Sequence, residues 1–415
     1  KEPIVLNGIT GSGKTELYMQ IIERKLRQKE QALVLVPEIG LTPQLLGEFR
    51  SRFGNTITVI HSENTPKENA VNWVKAKNGL SKIILGTRSA VFTPFKSLGL
   101  IIVDEEHDAS YKQQSGLRYS ARDLSLVRAA NNNVSVILGS ATPSFETLMN
   151  VEKKKYQQTV LKKRVFSTPL PTTKMIDLRV HPQERGLTKL LINEIKTQLD
   201  NNKQSLIYLN RRGYSPATVC VSCGHIEECP RCDTSLVLHK NKAKLICHYC
   251  STTKKWEKHC TVCGESVNPL GKGTEQVEEY LKELFPKTKI IRIDKDTVRT
   301  KNARNIMLSQ AKSGEGEILL GTQMLAKGHD FPNLTLVAII NADQGLFGSD
   351  FRSSEKFAQT LLQVSGRAGR RKDSGLVMIQ TYNAQNPLLN KIISQDYSTF
   401  FKEAIKERKI PQWPP

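Results

Sequence analysis

The stretch GITGSGKTE, near the start of the chain, contains residue types that could bind a nucleotide phosphate. Its spacing, Gly-x-x-x-x-Gly-Lys-Thr, matches the P-loop pattern, and it lies between a strand-like apolar run and a helix-like segment. Glycines let successive backbone N–H groups face the phosphates, and the N-terminus of the following helix adds positive potential. The predicted nucleotide site consists of Gly8, Ile9, Thr10, Gly11, Ser12, Gly13, Lys14 and Thr15. Lys14 would contact the β- and γ-phosphates, and the Thr15 hydroxyl would bind Mg²⁺; the alternative is an ordinary Gly/Ser turn.

Acidic residues follow an apolar run in the stretch LIIVDEEHD. Asp104 comes directly after the run, so it is expected at the carboxyl end of a parallel strand, where such sheets bind ligands. Asp104 would hold Mg²⁺, and Glu105 would orient or deprotonate the attacking water. The alternative is a solvated acidic cap on a strand. Beside the P-loop, these two carboxylates predict an enzyme that hydrolyses a nucleoside triphosphate.

All eight cysteines lie between positions 220 and 263. They form four Cys-x-x-Cys pairs, a spacing typical of tetrahedral zinc sites, so the sequence predicts two Zn²⁺ ions. Fourteen residues separate Cys232 from Cys247, close to the spacing of zinc ribbons, which favours a nested arrangement. The nested sites are Cys220, Cys223, Cys260 and Cys263 for site 1, and Cys229, Cys232, Cys247 and Cys250 for site 2. Sequential pairing of neighbouring Cys-x-x-Cys pairs is an alternative, and free thiols or disulfides are another.

Two successive series of strand-like and helix-like segments position these residues. Runs of Val, Ile and Leu alternate with amphipathic stretches, a pattern typical of parallel sheets covered by helices on both faces. The predicted fold class is therefore α/β, with two lobes and a small two-zinc cysteine module inserted in the second lobe. The expected boundaries are lobe 1 at 1–150, a basic linker at 151–185, lobe 2 at 186–214 and 269–385, the zinc-binding insertion at 215–268, and one basic amphipathic helix as a tail at 386–415.

The charge composition narrows the class of partner. Lys and Arg number 61 against 40 Asp and Glu, which gives a formal net charge of +21. This excess favours a polyanionic partner, nucleic acid first and an acidic membrane surface second. The sequence contains no apolar run long enough for a membrane span and no signal peptide, and its clustered cysteines suit a reducing compartment, so a cytoplasmic protein is expected. The first residue is Lys rather than Met, which suggests a trimmed chain.

Further motifs, in order along the chain, resemble those of superfamily 2 helicases and translocases. DEEH after a P-loop resembles the Walker-B box of that family, and GSATPS resembles its Ser-Ala-Thr motif, which couples the nucleotide to the nucleic acid. GTRSA and VPEIGLTPQ resemble strand-contacting motifs of its first lobe. GTQMLAKGHDFPNL and QVSGRAGR resemble second-lobe motifs that reach the strand and the nucleotide. The resemblance implies two RecA-like P-loop NTPase lobes, with ATP and Mg²⁺ as cofactors and DNA as the track.

The resemblance also implies a set of residues that contact DNA or couple it to ATP. On the motifs these are Thr87, Arg88, Ser140, Thr142, Arg211, Arg212, Thr322 and Lys327. The loop DASYKQQSGLRYSARD, at 108–123, resembles an aromatic-rich loop that senses DNA in the family. Its side chains offer stacking faces for bases, on Tyr111 and Tyr119, and phosphate partners, on Lys112, Arg118 and Arg122. A solvated surface loop is the alternative.

The motif QVSGRAGR predicts a further catalytic group. Gln363, Arg367 and Arg370 lie at i, i+4 and i+7, so a continuous helix would place them on one face. A guanidinium directed at a γ-phosphate stabilises the charge of the transition state. If these side chains reach the P-loop, the site would be complete only when the two lobes close. A solvated basic helix face is the alternative.

The cysteine module makes the resemblance more specific. A superfamily 2 helicase with an eight-cysteine insertion early in its second lobe is similar to the bacterial primosomal replication-restart helicases, as are the stretches DEEHDASYKQQ, LNRRGYSP, GTEQVEEYL and DFRSSEKFAQ. The resemblance covers nearly the whole chain. It implies an ATP-dependent 3′→5′ DNA helicase that acts on single-stranded and forked DNA at stalled or collapsed forks, with primosome proteins and single-strand-binding protein as partners. It also implies that the chain is the helicase core of a cytoplasmic, nucleoid-associated protein.

Three other functions fit parts of the sequence. The same two lobes serve double-strand DNA translocases and restriction-type motors. A degenerate NTPase could act as a non-catalytic, zinc-dependent module that binds partners. RNA could replace DNA as the track, because phosphate contacts do not distinguish the two nucleic acids.

Overall fold

The computed structural model describes most of the chain, which divides into two compact units. The described residues exclude 38–42, 63, 166–168, 210–217, 221, 232–234, 240–243, 248–249, 270–273, 294–300, 323–330, 347–349, 370–372 and 395–396. Unit 1 comprises Lys1–Ser167, and unit 2 comprises Thr168–Pro415. Each unit is built on its own parallel sheet.

Seven parallel strands form the sheet of unit 1. They are β1 (Ile4–Gly8), β2 (Gln31–Leu35), β3 (Ile57–Ile60), β4 (Ile83–Gly86), β5 (Leu98–Asp104), β6 (Ser135–Ser140) and β7 (Gln157–Leu161). Their order is β3-β4-β2-β5-β6-β1-β7, with parallel pairing throughout. Adjacent residues of β2 pack in separate core clusters, Leu33 in one and Val34 in the other. The sheet is therefore covered on both faces, as its continuous apolar strands predict.

Five α-helices connect these strands within the described part of unit 1. They are α1 (Lys14–Arg27), α2 (Pro43–Phe53), α3 (Pro66–Lys77), α4 (Ala121–Asn131) and α5 (Phe145–Glu152). Three of them begin at a residue whose hydroxyl accepts a backbone N–H of the first turn: Thr65, Ser120 and Ser144. Such caps satisfy amide groups that have no partner inside the helix, so the local sequence fixes where each helix begins.

The strand order of unit 1 brings three motifs to one edge of the sheet. In this order, β6 lies between β1 and β5. The P-loop follows β1, Asp104 ends β5, and Ser140 ends β6. Parallel strands have their carboxyl ends on the same side, so the residues that follow them are neighbours.

Unit 2 contains a six-stranded parallel sheet and several short strands. Its strands are β8 (Thr172–Asp177), β9 (Gln183–Glu184), β10 (Leu187–Thr188), β11 (Gln204–Leu209), β12 (Thr218–Cys220), β13 (Val237–His239), β14 (Lys244–Ile246), β15 (Thr253–Lys255), β16 (Val267–Pro269), β17 (Ile290–Ile293), β18 (Ile318–Gly321), β19 (Leu334–Ile340) and β20 (Leu376–Thr381). The order of the parallel sheet is β17-β18-β11-β19-β20-β8. Strands β12 to β16 form small antiparallel pairings. In the sequence they lie after β11 and before β17. The predicted α/β class, with a cysteine module inserted in the second lobe, is confirmed.

The helices of unit 2 follow the predicted alternation with its strands. They are α6 (Lys189–Asp200), α7 (Thr274–Leu284), α8 (Lys301–Ser313), α9 (Asp343–Leu346), α10 (Ser353–Ser365), α11 (Pro387–Ile393) and α12 (Tyr397–Lys409). Among the helices that the structure describes in either unit, none combines the length and the apolar character that crossing a membrane requires.

The segment 151–185, predicted as a basic linker, contributes a strand to each sheet. Strand β7 pairs with β1 in unit 1, and β8 pairs with β20 in unit 2. Both are edge strands, and four of the five residues of β7 are exposed. An edge strand has one neighbour and a solvated side, so it does not need the apolar run by which the central strands are recognised.

The tail at 386–415, predicted as one helix, contains two. Asn386 caps α11 by accepting the backbone N–H groups of Leu388 and Leu389, and this helix ends at Ile393. The second helix, α12, buries an aromatic face that includes Phe400. The tail is therefore part of the core of unit 2 and not a fully solvated basic helix.

Candidate nucleotide-binding site and cysteine clusters

The P-loop lies between β1 and α1, and its glycines permit its backbone conformation. Gly11 and Gly13 have φ angles of 82° and 84°, in the left-handed region that favours glycine. Gly13 is the N-cap of α1, so Lys14 and Thr15 begin the helix. Lys14 Nζ donates a hydrogen bond to the Gly8 carbonyl oxygen at 2.7 Å. The ammonium group and the helix N-terminus therefore bring positive charge to the same loop.

The other P-loop residues are held by backbone contacts. The Ile9 N–H donates to the Leu161 carbonyl at 3.3 Å, and the Ser12 N–H donates to the Ile9 carbonyl at 3.0 Å. Thr10 and Ser12 are half-buried. The strand β7, missed in the sequence, thus supports the P-loop through its last residue.

Asp104 ends β5 close enough to Lys14 for their charges to interact. Burial, and then the charge of Glu105, raise the pKa of Asp104 to about 6, while Lys14 and a hydrogen bond from Tyr18 act in the opposite direction. Glu105 itself has a φ of 45°, a backbone conformation that non-glycine residues rarely adopt. The turn after β5 is therefore strained at the residue predicted to act on water.

The residues present fit a bound Mg²⁺–nucleotide. The Thr15 hydroxyl and the Asp104 carboxylate supply oxygen ligands, the type that Mg²⁺ prefers. Burial and the charge of Glu105 disfavour the Asp104 anion, so a positive charge beside it would be favourable. When bound, Mg²⁺ would supply that charge and neutralise the β- and γ-phosphates.

Glu106, the last acidic residue of DEEH, is fully buried in a network of donors. Its Oε1 accepts the Ser144 backbone N–H at 2.7 Å, and its Oε2 accepts the hydroxyls of Ser144 at 3.1 Å and Thr147 at 3.0 Å. Arg122 Nη1 lies 3.3 Å from the same Oε2. Glu106 therefore ties the turn after β5 to the start of both α4 and α5.

Ser140 and Thr142, of the Ser-Ala-Thr motif, are buried at the end of β6. The Ser140 Oγ lies 2.7 Å from His107 Nδ1 and accepts the Thr142 backbone N–H at 2.9 Å. His107 directly follows the acidic residues, so the two motifs are in contact. Their burial suits a coupling role better than direct contact with a nucleic acid.

The loop at 108–123 differs from its prediction at two residues. Tyr111 is 2% exposed, and its Oη donates a hydrogen bond to the Asp104 carbonyl oxygen at 2.6 Å. Its ring is therefore part of the core and does not offer a face for base stacking. Arg122 binds Glu106, Asp123 and the Ser144 hydroxyl, so it stabilises the protein and is not a free phosphate partner. In both cases the side chain that the sequence predicts to contact DNA is engaged in a contact within the protein.

The remaining predicted residues of this surface are more accessible. Lys112 and Arg118 are exposed. Tyr119 is half-buried, with its ring centroid 4.9 Å from that of Phe92 in an edge-to-face arrangement. Arg88 donates to the Ser110 carbonyl oxygen at 3.0 Å, beside the buried Thr87.

In unit 2, α10 ends before the arginine motif is complete. Gln363 is buried in its last turn, but the helix ends at Ser365 with Gly366 as its C-cap. Arg367, which is 5% exposed, lies beyond that end. The prediction of one continuous helical face is therefore wrong, because the glycines of GRAG disfavour a continued helix. Thr322 is half-buried and directly follows β18.

Five predicted site residues lie outside the described part of the chain. They are Arg211, Arg212, Cys232, Lys327 and Arg370. Their assigned roles, like the catalytic roles of Gln363 and Arg367, stay predictions.

The described cysteines form two groups of thiols in unit 2. Cys220, Cys223, Cys260 and Cys263 form one group, and Cys229, Cys247 and Cys250 form the other, with all sulfurs of a group within 4.8 Å of one another. These groups follow the nested order. Three sulfur pairs are 3.4, 3.7 and 3.6 Å apart. A tetrahedron with Zn–S bonds of about 2.3 Å has edges of about 3.8 Å, so the spacing of the thiols fits zinc.

Three of the Cys-x-x-Cys pairs share one backbone turn. The N–H of the fourth residue after the first cysteine donates to that cysteine's carbonyl oxygen, at 3.0 Å for Gly224, 3.0 Å for Gly264 and 2.9 Å for Ser251. All three residues have positive φ, between 60° and 77°. The turn places both thiols of a pair on one side, which is the geometry that a shared metal ion needs.

Two residues of the site were not recognised in the sequence. Glu106 lies inside DEEH, but the motif does not show its contacts with Ser144, Thr147 and Arg122. Tyr18 Oη donates a hydrogen bond to Asp104 Oδ1 at 2.9 Å, and the sequence signal was its place four residues after Lys14, on the same helical face.

Comparison with sequence families places helicase domains in both units. The DEAD/DEAH box helicase family matches residues 1–151, and the family of the helicase conserved C-terminal domain matches residues 235–372. The first match contains the P-loop and the acidic motif. The second contains part of the cysteine module, α10 and the strands between them.

Curated relatives are similar over nearly the whole chain. Replication restart protein PriA of Haemophilus influenzae is 46% identical over 412 residues, covering 99% of this chain and 56% of that protein. Replication restart protein PriA of Bacillus subtilis is 41% identical over 415 residues, covering 99% of this chain and 52% of that protein. The chain thus spans about half the length of these relatives.

A solved structure supports the fold independently of sequence. The structure of RecG bound to a three-way DNA junction has a TM-score of 0.56 at 17% identity, covering 97% of this chain and 44% of that one. Identity this low shows the fold alone. The two parallel sheets and this likeness confirm the predicted RecA-like fold of the two lobes.

Proposed function

We propose, since this chain is a superfamily 2 helicase core of the PriA type, that it hydrolyses ATP to move along one DNA strand and separate the duplex. The proposed direction is 3′→5′, and the proposed substrates are single-stranded and forked DNA at stalled or collapsed replication forks. Primosome proteins and single-strand-binding protein are the proposed partners, in the bacterial cytoplasm at the nucleoid. These activities are proposals for the whole protein, since the chain spans about half the length of the curated relatives that it matches.

One observation carries the ATPase proposal. The P-loop lysine, Lys14, and the acidic residue at the end of β5, Asp104, interact electrostatically at the edge where β1, β6 and β5 end. The chain's own groups then have separate tasks. Lys14 binds the phosphates, Thr15 and Asp104 hold the metal ion, and Glu105 orients the attacking water.

Coupling to DNA is proposed through the residues that surround this edge. Glu106 and His107 connect the acidic motif to α5 and to Ser140. Arg122, at the end of the loop 108–123, donates a hydrogen bond to the Glu106 carboxylate. Lys112 and Arg118 of the same loop are exposed. A change in the loop on binding DNA would therefore reach the residues beside Asp104 through a few buried hydrogen bonds.

The cysteine groups are proposed to hold two Zn²⁺ ions that fold the inserted module. The module has small strands and a small core around Leu236, Leu238 and Leu245, so metal bonds would supply much of its stability. Trp256 packs against this core. Its ring therefore contributes to the packing of the module.

The deciding experiment is ATP hydrolysis by the chain with and without single-stranded DNA, beside Lys14→Ala as a matched control. Strong stimulation by DNA that is lost in Lys14→Ala supports the proposal. ATP hydrolysis that DNA does not stimulate would contradict the proposed coupling within this chain. The absence of hydrolysis by folded, zinc-loaded protein would favour the non-catalytic binding module.

A second set of substrates separates the remaining alternatives. Single-stranded RNA of the same sequence tests the choice of track, since phosphate contacts alone would accept both. Stimulation by blunt duplex DNA but not by single strands would indicate a double-strand translocase. Partial duplexes with a 3′ or a 5′ single-stranded tail test the direction, and unwinding only with the 3′ tail supports 3′→5′ movement.

A further inference from the structure

We infer that Tyr18 is a positioning residue that fixes the Asp104 carboxylate for Mg²⁺. Tyr18 Oη donates a hydrogen bond to Asp104 Oδ1 at 2.9 Å, and the side chain is 2% exposed. A buried donor of this kind restricts the rotation of the carboxylate and strengthens its binding to a cation, as outer hydrogen bonds do at metal sites. The inference rests on the proposed ATPase function, in which Asp104 holds the metal ion.

The first turns of α1 carry both the phosphate-binding side chains and this donor. Lys14 and Thr15 begin the helix, and Tyr18 follows them at i+4 and i+3, so the three side chains share one face. A helix holds such groups more precisely than a loop does. The hydrogen bond from Tyr18 therefore sets the distance between the P-loop and the carboxylate at the end of β5.

The neighbouring strand leaves room for this hydrogen bond because residue 139 is glycine. A Cβ atom at position 139 would lie 1.6 Å from Tyr18 Oη and 3.4 Å from Asp104 Oδ1. The first distance is far below any non-bonded contact, so a side chain at 139 would displace the tyrosine hydroxyl. Gly139 also accepts the Glu106 N–H through its carbonyl oxygen at 3.0 Å. Glycine at position 139 of β6, the first residue of the Ser-Ala-Thr motif, thus permits the hydrogen bond between Tyr18 and Asp104.

The ring of Tyr18 has a separate structural role, which the test must preserve. It packs in the core of unit 1 with Leu6, Ile22 and Ile102. Tyr18→Phe keeps this packing and removes only the hydroxyl. Tyr111→Phe is a matched control, because it removes a buried hydroxyl that donates to the backbone carbonyl of the same Asp104, at 2.6 Å, and not to its carboxylate.

The measurement is binding of a fluorescent ADP by the full chain, titrated with Mg²⁺ and repeated in excess EDTA. Tyr18→Phe is expected to raise the Mg²⁺ concentration for half-maximal enhancement of binding about tenfold, the effect of losing one hydrogen bond to a charged group. Its affinity for ADP in EDTA stays near that of the wild type, because the P-loop is intact. Tyr111→Phe lowers the urea midpoint and changes the Mg²⁺ requirement less than Tyr18→Phe does. Gly139→Ala raises the Mg²⁺ requirement in the same direction as Tyr18→Phe.

Three results would overturn the inference, and they are distinguishable. Equal Mg²⁺ requirements for wild type and Tyr18→Phe would leave the hydroxyl without a positioning role, although the ATPase proposal stands. Loss of ADP binding by Tyr18→Phe in EDTA as well would mean a general role in folding. If the wild type shows no Mg²⁺-dependent nucleotide binding, the proposed function fails and the inference fails with it.

Discussion

The carboxylate of Glu106 accepts the backbone N–H of Ser144 at 2.7 Å, so the acidic motif after β5 holds the first turn of α5. Ser144 is also the N-cap of this helix, since its hydroxyl accepts the Thr147 N–H at 3.3 Å. The same carboxylate faces the Arg122 guanidinium. Within the motif DEEH, Glu106 holds the surrounding elements together, whereas Asp104 and Glu105 are the residues proposed to act on the nucleotide.

Replacement of Glu106 should destabilise unit 1 without removing a nucleotide ligand. Glu106→Ala leaves the Arg122 cation and the Ser144 amide without their buried acceptor, and we expect a loss of about 3 kcal/mol in the free energy of unfolding. Glu106→Gln should cost about 1–2 kcal/mol, because its amide oxygen still accepts from Ser144 but carries no charge opposite Arg122. Urea unfolding followed by circular dichroism measures both.

The control for this prediction is Glu152→Ala, at the exposed end of α5. It should change the free energy of unfolding by less than about 0.5 kcal/mol. A Glu106→Ala protein as stable as Glu152→Ala would show that the network around Glu106 contributes nothing to stability.

The central parts of both sheets could be predicted because their apolar runs are unambiguous. A run such as LIIV in β5 is too short and too rich in β-branched residues for a helix, and the acidic residue after it marks the strand's end. The two edge strands in 151–185 lacked this signal, since solvent covers one of their sides. The strand pairings are set by contacts between distant segments, which no local pattern shows.

The errors within the site have a common physical cause. Tyr111 and Arg122 lie in a loop of polar composition, so they were expected on the surface, yet both are used by contacts to residues of the β5 turn. Tyr18 was hidden in the opposite way, because an aromatic residue on an amphipathic helix is usually core. Residue type and spacing locate the nucleotide motifs in the sequence. Whether a neighbouring side chain contacts the site or stabilises the fold depends on its burial, which the sequence does not show.

Two arginines of the loop at 108–123 should respond differently to replacement. Arg118 is exposed, and Arg118→Ala should weaken binding of single-stranded DNA and lower the salt slope by about 1, with no change in stability. Arg122 has a side chain that is 18% exposed and is paired with the buried Glu106. Arg122→Ala should therefore lower the free energy of unfolding by about 3 kcal/mol.

Fluorescence anisotropy over a series of salt concentrations measures the slope for both variants, and urea unfolding measures their stability. Lys112→Ala, at another exposed position of the loop, should behave like Arg118→Ala. The division into surface and structural arginines would be contradicted if Arg122→Ala were as stable as wild type and lost a phosphate contact.

A buried ion pair joins α10 to the last helix of the chain. Arg408 Nη2 lies 2.8 Å from Glu355 Oε2, and both side chains are 5% exposed. Arg408→Met should lower the free energy of unfolding by about 3–5 kcal/mol, because it leaves a buried carboxylate opposite an apolar side chain. The double variant Arg408→Met/Glu355→Met should be more stable than Arg408→Met, since it removes both charges. Urea unfolding of the four proteins in a double-mutant cycle tests this, and additive effects would mean that the pair is not coupled.

Metal content distinguishes the nested from the sequential arrangement of the cysteines. Cys223 and Cys263 belong to one group of thiols, whereas Cys250 belongs to the other. The wild-type chain should contain two zinc ions, measured by elemental mass spectrometry after dialysis. Removing two ligands of one site abolishes one ion, so Cys223→Ala/Cys263→Ala should retain one. Removing one ligand from each site should abolish both, so Cys250→Ala/Cys263→Ala should retain none.

Sequential pairing predicts the reverse order for the two double variants, because Cys250 and Cys263 would then share an ion and Cys223 would belong to the other. The comparison is internal, since both proteins lack two thiols and share the Cys263→Ala change. Unit 1 contains no cysteine, so binding of fluorescent ADP in EDTA, which is proposed to need the P-loop only, should be unchanged in both variants. This measurement checks that unit 1 is folded. One zinc ion in Cys223→Ala/Cys263→Ala and none in Cys250→Ala/Cys263→Ala would establish the nested sites. Two substitutions remove a single ion only when both cysteines bind the same ion.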